Sequence, residues 1–476
     1  MTNTVFNNLF WKFLERCGAQ GVSFIVSIIL ARLLEPSIYG VISLVLIITS
    51  IMQTFVDSGF GNALVQKKNP DDLDFSTIFY FNIVMCILMY VILFFTAPFI
   101  SDFYKIKDLT PVIRVLGIVI LISGVRSIQQ SYVSKHLMFK KFFYSTLGGT
   151  IGAAVIGIWM AFNGFGIWAL VAQQIFNTFF GTVILWFTVK WRPKPMFSFK
   201  RLKSLFTYGW KLLASGLLDK IYQDLRQLII GRIYTPADLA YYNKGSQFPK
   251  LIVDNINSSI DSVLLPTMSN IQDKTEELKV MTRRAIKTST YLIIPLLTGL
   301  AVTSTTLIPL LLTEKWNSCI EYLMIFCFTF SFYPIHTANL NAIKAIGRSD
   351  IFLKLEIIKK IIGIAAILIT MWISVKAMAY SLLITTILNS FVNAYPNKKL
   401  LNYSYVNQIA DILPQIILSL VMGAIIYPIS FLAINPVMIL FLQVIAGAVI
   451  YISGSILFKY ESFNYILSIV KSFFHI

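Results

Sequence analysis

Apolar residues run along this chain in stretches of about 20, one after another, with short polar loops between them. A bilayer core about 30 Å thick takes roughly 20 apolar residues per helical crossing, so each stretch predicts a membrane-spanning helix. The spans fall at about 17–34, 38–61, 76–98, 109–131, 144–162, 167–189, 204–231, 241–269, 285–312, 319–341, 353–374, 377–395, 409–432 and 436–457. The seventh, eighth and ninth are long and more polar than the others. A transmembrane barrel is excluded, because its strands alternate with period two over about 10 residues. Runs such as Val41–Thr54 and Ile357–Trp372 do not alternate. The expected fold is therefore all-α: a polytopic helical membrane protein of about 14 transmembrane helices.

Composition agrees, since 57% of the 476 residues are hydrophobic, against about 45–50% in soluble domains. The net charge of +18 does not make a nucleic-acid surface, because it is spread over many loops rather than gathered in one stripe. Its distribution instead sets orientation. Of the 40 lysines and arginines, 27 lie at the termini and in the loops that follow even-numbered spans, and 7 lie in the alternate loops. Lys and Arg stay on the cytoplasmic side of a translocated chain, so both termini are placed in the cytoplasm. No cleavable signal peptide is expected, because the first span has no small-residue cleavage site and runs straight into a second. Cys17, Cys86, Cys319 and Cys327 lie in or beside apolar runs without C-x-x-C spacing and read as small packing residues.

The basic, proline-bearing segment Lys190–Lys203 follows the sixth span and divides the chain. Residues 1–189 then form one six-helix bundle, 190–203 a cytoplasmic linker, 204–395 a second six-helix bundle, 396–457 two added helices, and 458–476 a cytoplasmic interfacial tail. Arg32-Leu-Leu-Glu-Pro36 returns as Arg232-Ile-Tyr-Thr-Pro236, at an offset of 200 residues. This predicts that the bundles are a parallel repeat, an architecture that places a transported ligand between the halves.

Charges within spans cost roughly 2.5–3.5 kcal/mol each on insertion scales, and so belong against a cavity or a partner. In span seven Lys211, Ser215, Asp219, Tyr222 and Arg226 share one helical stripe, with Lys220 and Asp224 beside it. In span eight Lys244, Gln247, Asp254, Ser258 and Asp261 share a face. Arg16 and Gln20 do so in span one, Ser50, Gln53 and Asp57 in span two, and Arg126 and Gln130 in span four. One reading is a hydrophilic cavity in which Arg forks around phosphate. The other is internal pairing, since six in-span cations meet five in-span acids. Asp57 is the candidate for binding a coupling ion, H+ or Na+, or else a partner of Arg126. His336 reads as a hydrogen-bonded packing residue. Asp72-Leu-Asp74 reads as helix capping rather than a nucleotide-sugar motif. No metal site, nucleophile or cofactor motif is expected.

ARLLEPSIYGVISL at 31–44, LVQKK at 64–68, NGFGIWALVAQQ at 163–174 and GRIYTPADLAYY at 231–242 together resemble the polysaccharide (O-antigen and teichuronic acid) flippases of the multidrug/oligosaccharidyl-lipid/polysaccharide exporter superfamily. Within it they are similar to the WzxC/TuaB-like exporters of lipopolysaccharide and colanic acid. The resemblance implies 12–14 spans in two bundles, a bacterial inner-membrane location and no enzymatic activity. It also implies a carrier of undecaprenyl-diphosphate-linked oligosaccharide repeat units for lipopolysaccharide, capsule or exopolysaccharide. A polysaccharide polymerase and chain-length machinery would be its partners, beside membrane lipids. The alternatives are a drug/cation antiporter or a peptidoglycan lipid II flippase of the same superfamily. A membrane glycan polymerase or ligase is disfavoured, because the longest outside loop is only about Phe99–Asp108.

The orientation has a direct check. Single cysteines at Lys67, Lys140 and Lys279 are expected to be shielded from an impermeant thiol reagent in intact cells, and one at Lys105 labelled. The reverse pattern would invert the topology.

Overall fold

The computed structural model describes residues 2–56 and 61–474. Among them there is no strand. The helices are α1 (Thr2–Leu33), α2 (Pro36–Val56), the short α3 (Asn62–Gln66), α4 (Asp72–Tyr104), α5 (Leu109–Leu116), α6 (Ile118–Lys135), α7 (Phe139–Phe162), α8 (Ile167–Thr188), α9 (Phe199–Ile233) and α10 (Pro236–Ser269). They continue as α11 (Thr275–Leu312), α12 (Cys319–Phe330), α13 (Tyr333–Ala345), α14 (Ser349–Thr370), α15 (Val375–Leu400), α16 (Tyr405–Ile426), α17 (Pro436–Leu457) and α18 (Glu461–Phe474).

Ten of the described helices are long and apolar enough to cross a membrane, with α5–α6 and α12–α13 each acting as one. The chain is a multi-pass membrane protein. Its outward faces say so as well: only 17% of the apolar stretch of α4 is buried, and Phe95 and Phe99 stand exposed on it. α9 and α10 fall outside that set because they carry the two polar stripes. The tenth expected span is broken at Ser331–Phe332, and Pro334 sits in the first turn of α13. There its missing N–H costs nothing, so it starts a helix rather than kinking one.

Cα proximity divides the chain into two compact units, Met1–Ala240 and Tyr241–Ile476, the division falling inside α10. In the first unit α7 packs along α8 and α1, and α6 lies against α4, α8 and α2. In the second, the 38-residue α11 is the central element, touching α12, α13, α16, α17 and α18. Gln408, Asn339 and Asn397 form a buried carboxamide cluster there, with Nδ2 of Asn339 donating to Gln408 at 2.7 Å and Nδ2 of Asn397 to Asn339 at 2.7 Å. His336 meets the amide of Asn393 at 2.9 Å, the hydrogen-bonded packing role expected of it. The tail helix α18 lies on α11, with Lys287 donating to Glu461 at 2.5 Å and Arg284 over the Tyr465 ring at 5.0 Å. The Lys287 ammonium holds the Glu461 carboxyl below its ordinary pKa.

The two repeated corners take the same local form. α1 and α9 end three residues before Pro36 and Pro236, and each proline opens the next helix. They also meet. A Cβ on Gly40 would come within 1.7 Å of the Pro236 carbonyl oxygen, so only glycine lets α2 lie on that corner. The turn between α7 and α8 uses Gly164 and Gly166 at positive φ, 78° and 55°.

The segment 190–203 is strapped to the start of α4. Asp71 caps that helix, its carboxylate accepting from the Asp74 N–H at 2.9 Å, while the Asp74 carboxylate accepts from the Asp71 N–H at 3.1 Å. That backbone bond, with Arg201 and Lys67 nearby, holds Asp71 below its ordinary pKa. The Asp74 side chain is 0% exposed and pairs with Lys67 at 2.5 Å and Arg201 at 3.6 Å. Asp72 takes the Trp191 indole N–H at 2.9 Å and the Lys194 ammonium at 2.6 Å. Ser76 and Thr77 accept the backbone N–H groups of Lys194 and Ser198. The D-x-D segment is thus a cap, as expected, with Asp71 in the capping place one residue earlier.

Lys67 and Arg201 keep 28% and 42% of their side chains exposed, so water takes over both cations when Asp74 is removed, and the loss is that of the acceptor for the Asp71 N–H. Asp74→Ala is therefore expected to cost about 1–2 kcal/mol, read as a lower Tm in detergent. Asp72→Ala, on a side chain 43% exposed, should cost less than about 1 kcal/mol.

Candidate functional site

The first unit contains an open cavity of about 540 Å³ between its helices, where polar side chains stand beside Leu46 and Val119. Its walls come from α2, α6 and α8: Thr49, Ser50, Gln53 and Thr54 on the first, Ser123, Arg126 and Gln130 on the second, Thr178 on the third. Local sequence explains each wall. Ser50 and Gln53 are three apart and Arg126 and Gln130 four apart, so each pair shares a helix face. Four of the hydroxyls bond back onto their own helices: Thr49 to Val45 O at 2.9 Å, Ser50 to Ile47 O at 2.8 Å, Thr54 to Ser50 O at 3.0 Å and Thr178 to Gln174 O at 3.2 Å. Such bonding is how a Ser or Thr is tolerated inside an apolar helix.

Arg126 lies flat against α8 at Gly181, where a Cβ would stand 3.2 Å from its Cζ and Nη1. Gly181 in turn sits on α7, with its carbonyl accepting from Ser145 at 2.7 Å and its amide nitrogen 3.1 Å from where a Cβ on Gly149 would lie. The glycine thus serves two close approaches, to the guanidinium and to the neighbouring helix.

Of the candidates singled out by sequence, the structure brings Gln53, Ser50, Arg126 and Gln130 into this one cavity. Gln20 is half-buried on α1. Asp57 and the Arg16 side chain lie outside the described residues. On α9, Arg226 is 6% exposed, Asp219 and Tyr222 are half-buried, and Lys211 is exposed. The neighbouring stripe is an ion pair, Lys220 with Asp224 at 2.8 Å. On α10, Lys244 is 6% exposed, donates to Gln247 Oε1 at 3.0 Å and lies over the Trp316 ring at 5.7 Å. Asp254 is exposed. Asp261 is exposed too, and accepts from the Asn341 amide at 2.5 Å. The span-eight face therefore splits between a buried cationic part at Lys244 and an exposed acidic part.

Sequence reasoning missed Thr49, Thr54, Ser123, Thr178 and Gly181. A hydroxyl or a glycine in an apolar run carries no periodic signal of its own, and only the packing of three helices shows that these share a wall.

A family model described as "Polysaccharide biosynthesis protein" matches residues 29–321. Among curated relatives, the chain is 25% identical to the lipopolysaccharide biosynthesis protein WzxC of Escherichia coli K12, over 75% of this chain and 73% of that one. It is 26% identical to the teichuronic acid biosynthesis protein TuaB of Bacillus subtilis 168, over 64% and 63%. It is 23% identical to the succinoglycan biosynthesis transport protein ExoT of Rhizobium meliloti 1021, over 66% and 63%. The chain thus spans just under two thirds of the length of the last two. In fold it is similar to the lipid II flippase MurJ in an inward closed conformation, with TM-score 0.75, 15% identity, and 96% and 99% of the two chains covered. It is also similar to an inward-facing multidrug transporter of the MATE family, with TM-score 0.63, 12% identity, and 80% and 94% covered.

A polar, hydrated cavity has a chemical signature. Cysteines at Ser50 and Thr178 are expected to react with a small charged methanethiosulfonate several-fold faster than one at Ala153, which is buried in the same unit. Equal, slow labelling at all three positions would mean that the cavity is closed to water.

Proposed function

The chain belongs to the family of polysaccharide biosynthesis proteins, and from that premise we propose that it is a flippase carrying undecaprenyl-diphosphate-linked oligosaccharide repeat units across the bacterial inner membrane. The units would supply a surface polymer: lipopolysaccharide O-antigen, capsule or exopolysaccharide. The protein is a carrier, not a catalyst. The observation that bears most weight is the family match over residues 29–321, joined by relatives named for lipopolysaccharide, teichuronic acid and succinoglycan biosynthesis. The polar cavity supports the reading in physical terms. Groups such as Arg126, Gln53 and Gln130 are costly in a bilayer unless something polar meets them.

The finer arrangement belongs to the same proposal. The bundles are two sets of six helices related by a parallel repeat, about 14 spans in all with the two C-terminal helices, and both termini lie in the cytoplasm. The like form of the Pro36 and Pro236 corners supports the repeat. Transport would proceed by alternating access. If it is coupled to an ion, Asp57 is the residue to hold H+ or Na+. Arg226 on α9 and Lys244 on α10 are the buried cations among the described residues. A polymerase and chain-length machinery would receive the flipped unit.

Depletion of the protein in its own cells is the test. Complete lipid-linked repeat units are expected to accumulate facing the cytoplasm while the surface polysaccharide disappears. Unchanged lipid-linked pools would remove the reading and turn attention to drug and cation efflux. Loss of peptidoglycan synthesis instead would favour lipid II as the cargo.

A further inference from the structure

We propose that the cavity walled by α2, α6 and α8 seats sugar rings of the substrate and excludes its diphosphate, an assignment that rests on the flippase reading. A hydroxyl carries one proton to donate and two lone pairs to accept with. At Thr49, Ser50, Thr54 and Thr178 the proton is committed to a main-chain carbonyl of the same helix. What these side chains have left for the cavity is therefore acceptor lone pairs. The donors on its walls are of a different kind: the carboxamides of Gln53 and Gln130, and the guanidinium of Arg126 spread over Gly181.

A ligand that fills such a cavity must donate to the hydroxyls and accept from the amides and the guanidinium. Each sugar hydroxyl does both. A diphosphate at neutral pH is almost wholly an acceptor, so four of the wall oxygens would face it lone pair to lone pair. Phosphate oxygens desolvated there find partners only in the two carboxamides and the guanidinium, whereas sugar hydroxyls pair with the acceptors as well. The cavity volume of about 540 Å³ falls in the usual range of about 300–1,000 Å³ for small-molecule pockets. Back-bonding alone accounts for a hydroxyl in an apolar helix. It does not account for four of them, from two helices, sharing one cavity with two carboxamides and an arginine.

The experiment uses the full chain in membranes, with Ser50→Cys and, separately, Thr178→Cys, and reads thiol labelling at that residue by peptide mass spectrometry so that the native cysteines do not interfere. Three protectants are compared: the lipid-linked oligosaccharide extracted from depleted cells, the free oligosaccharide released from it by mild acid, and undecaprenyl diphosphate. The intact lipid and the free oligosaccharide are each expected to slow labelling, and undecaprenyl diphosphate to leave it unchanged. Thr49→Val, which keeps the shape and removes an acceptor, should weaken protection by the free oligosaccharide several-fold. Protection by undecaprenyl diphosphate, or none by the free oligosaccharide, overturns the assignment while leaving the flippase reading standing. If depleted cells hold no accumulated lipid-linked oligosaccharide, the flippase reading fails first and takes this assignment with it.

Discussion

A polar group placed in a bilayer has no water to fall back on, and everything specific in this chain follows from how such groups are satisfied. The apolar residues decide that the helices cross the membrane but say little about which helix lies against which, since lipid is as apolar as leucine. The particular neighbours are chosen by polar contacts and by glycines that permit close approach. Asn339, Asn397 and Gln408 tie α13, α15 and α16 together, and the hydroxyl of Thr290 on α11 donates to Gln415 on α16 at 2.7 Å. Gly40 and Gly149 let backbones meet where a Cβ would collide, and Gly181 leaves room for the Arg126 guanidinium.

The segment between the sixth and seventh expected spans shows the same economy at the membrane surface. Its basic charge and two prolines read as a linker between two bundles. In the structure its backbone N–H groups at Lys194 and Ser198 are taken by Ser76 and Thr77, and its side chains by Asp71, Asp72 and Asp74. The positive charge of the segment is here tied into the structure. An acidic helix start meets a basic strap, and carboxylates in the first turn of α4 also suit the positive end of its dipole. α9 is therefore tied at its first turn to the helices before it, and the compact division of the chain falls later, within α10.

Legibility in the sequence tracks how local the cause is. The Glu35-Pro36 and Thr235-Pro236 corners were readable because proline dictates its own surroundings: it cannot continue a helix and is well placed to begin one. The polar faces of α9 and α10 were readable because charges at three- and four-residue spacing form a stripe on any helix. Which of them end buried was not readable. Arg226 and Lys244 lie inside while Lys211, Asp254 and Asp261 lie at the surface, and the difference is made by neighbours far away in the chain, such as Trp316 beside Lys244. The cavity was half readable. Arg126, Gln130, Ser50 and Gln53 announce themselves as polar residues in apolar runs, whereas Thr178 and Gly181 acquire meaning only when α8 is laid against α6.

That contrast bears on what a carrier in polysaccharide biosynthesis needs. A site that recognises one group by a buried charge pair is strong and narrow, because the stranded partner penalises every other ligand. A wall of hydroxyls already bonded to their own backbone is weaker per contact but costs little when empty, since each proton keeps its partner whether or not a ligand is present. Such a wall accepts any ligand that brings donors of its own. Carboxamides and a single arginine then add direction without demanding one particular anion. A surface built this way would tolerate a change of sugar more easily than a change from sugar to phosphate.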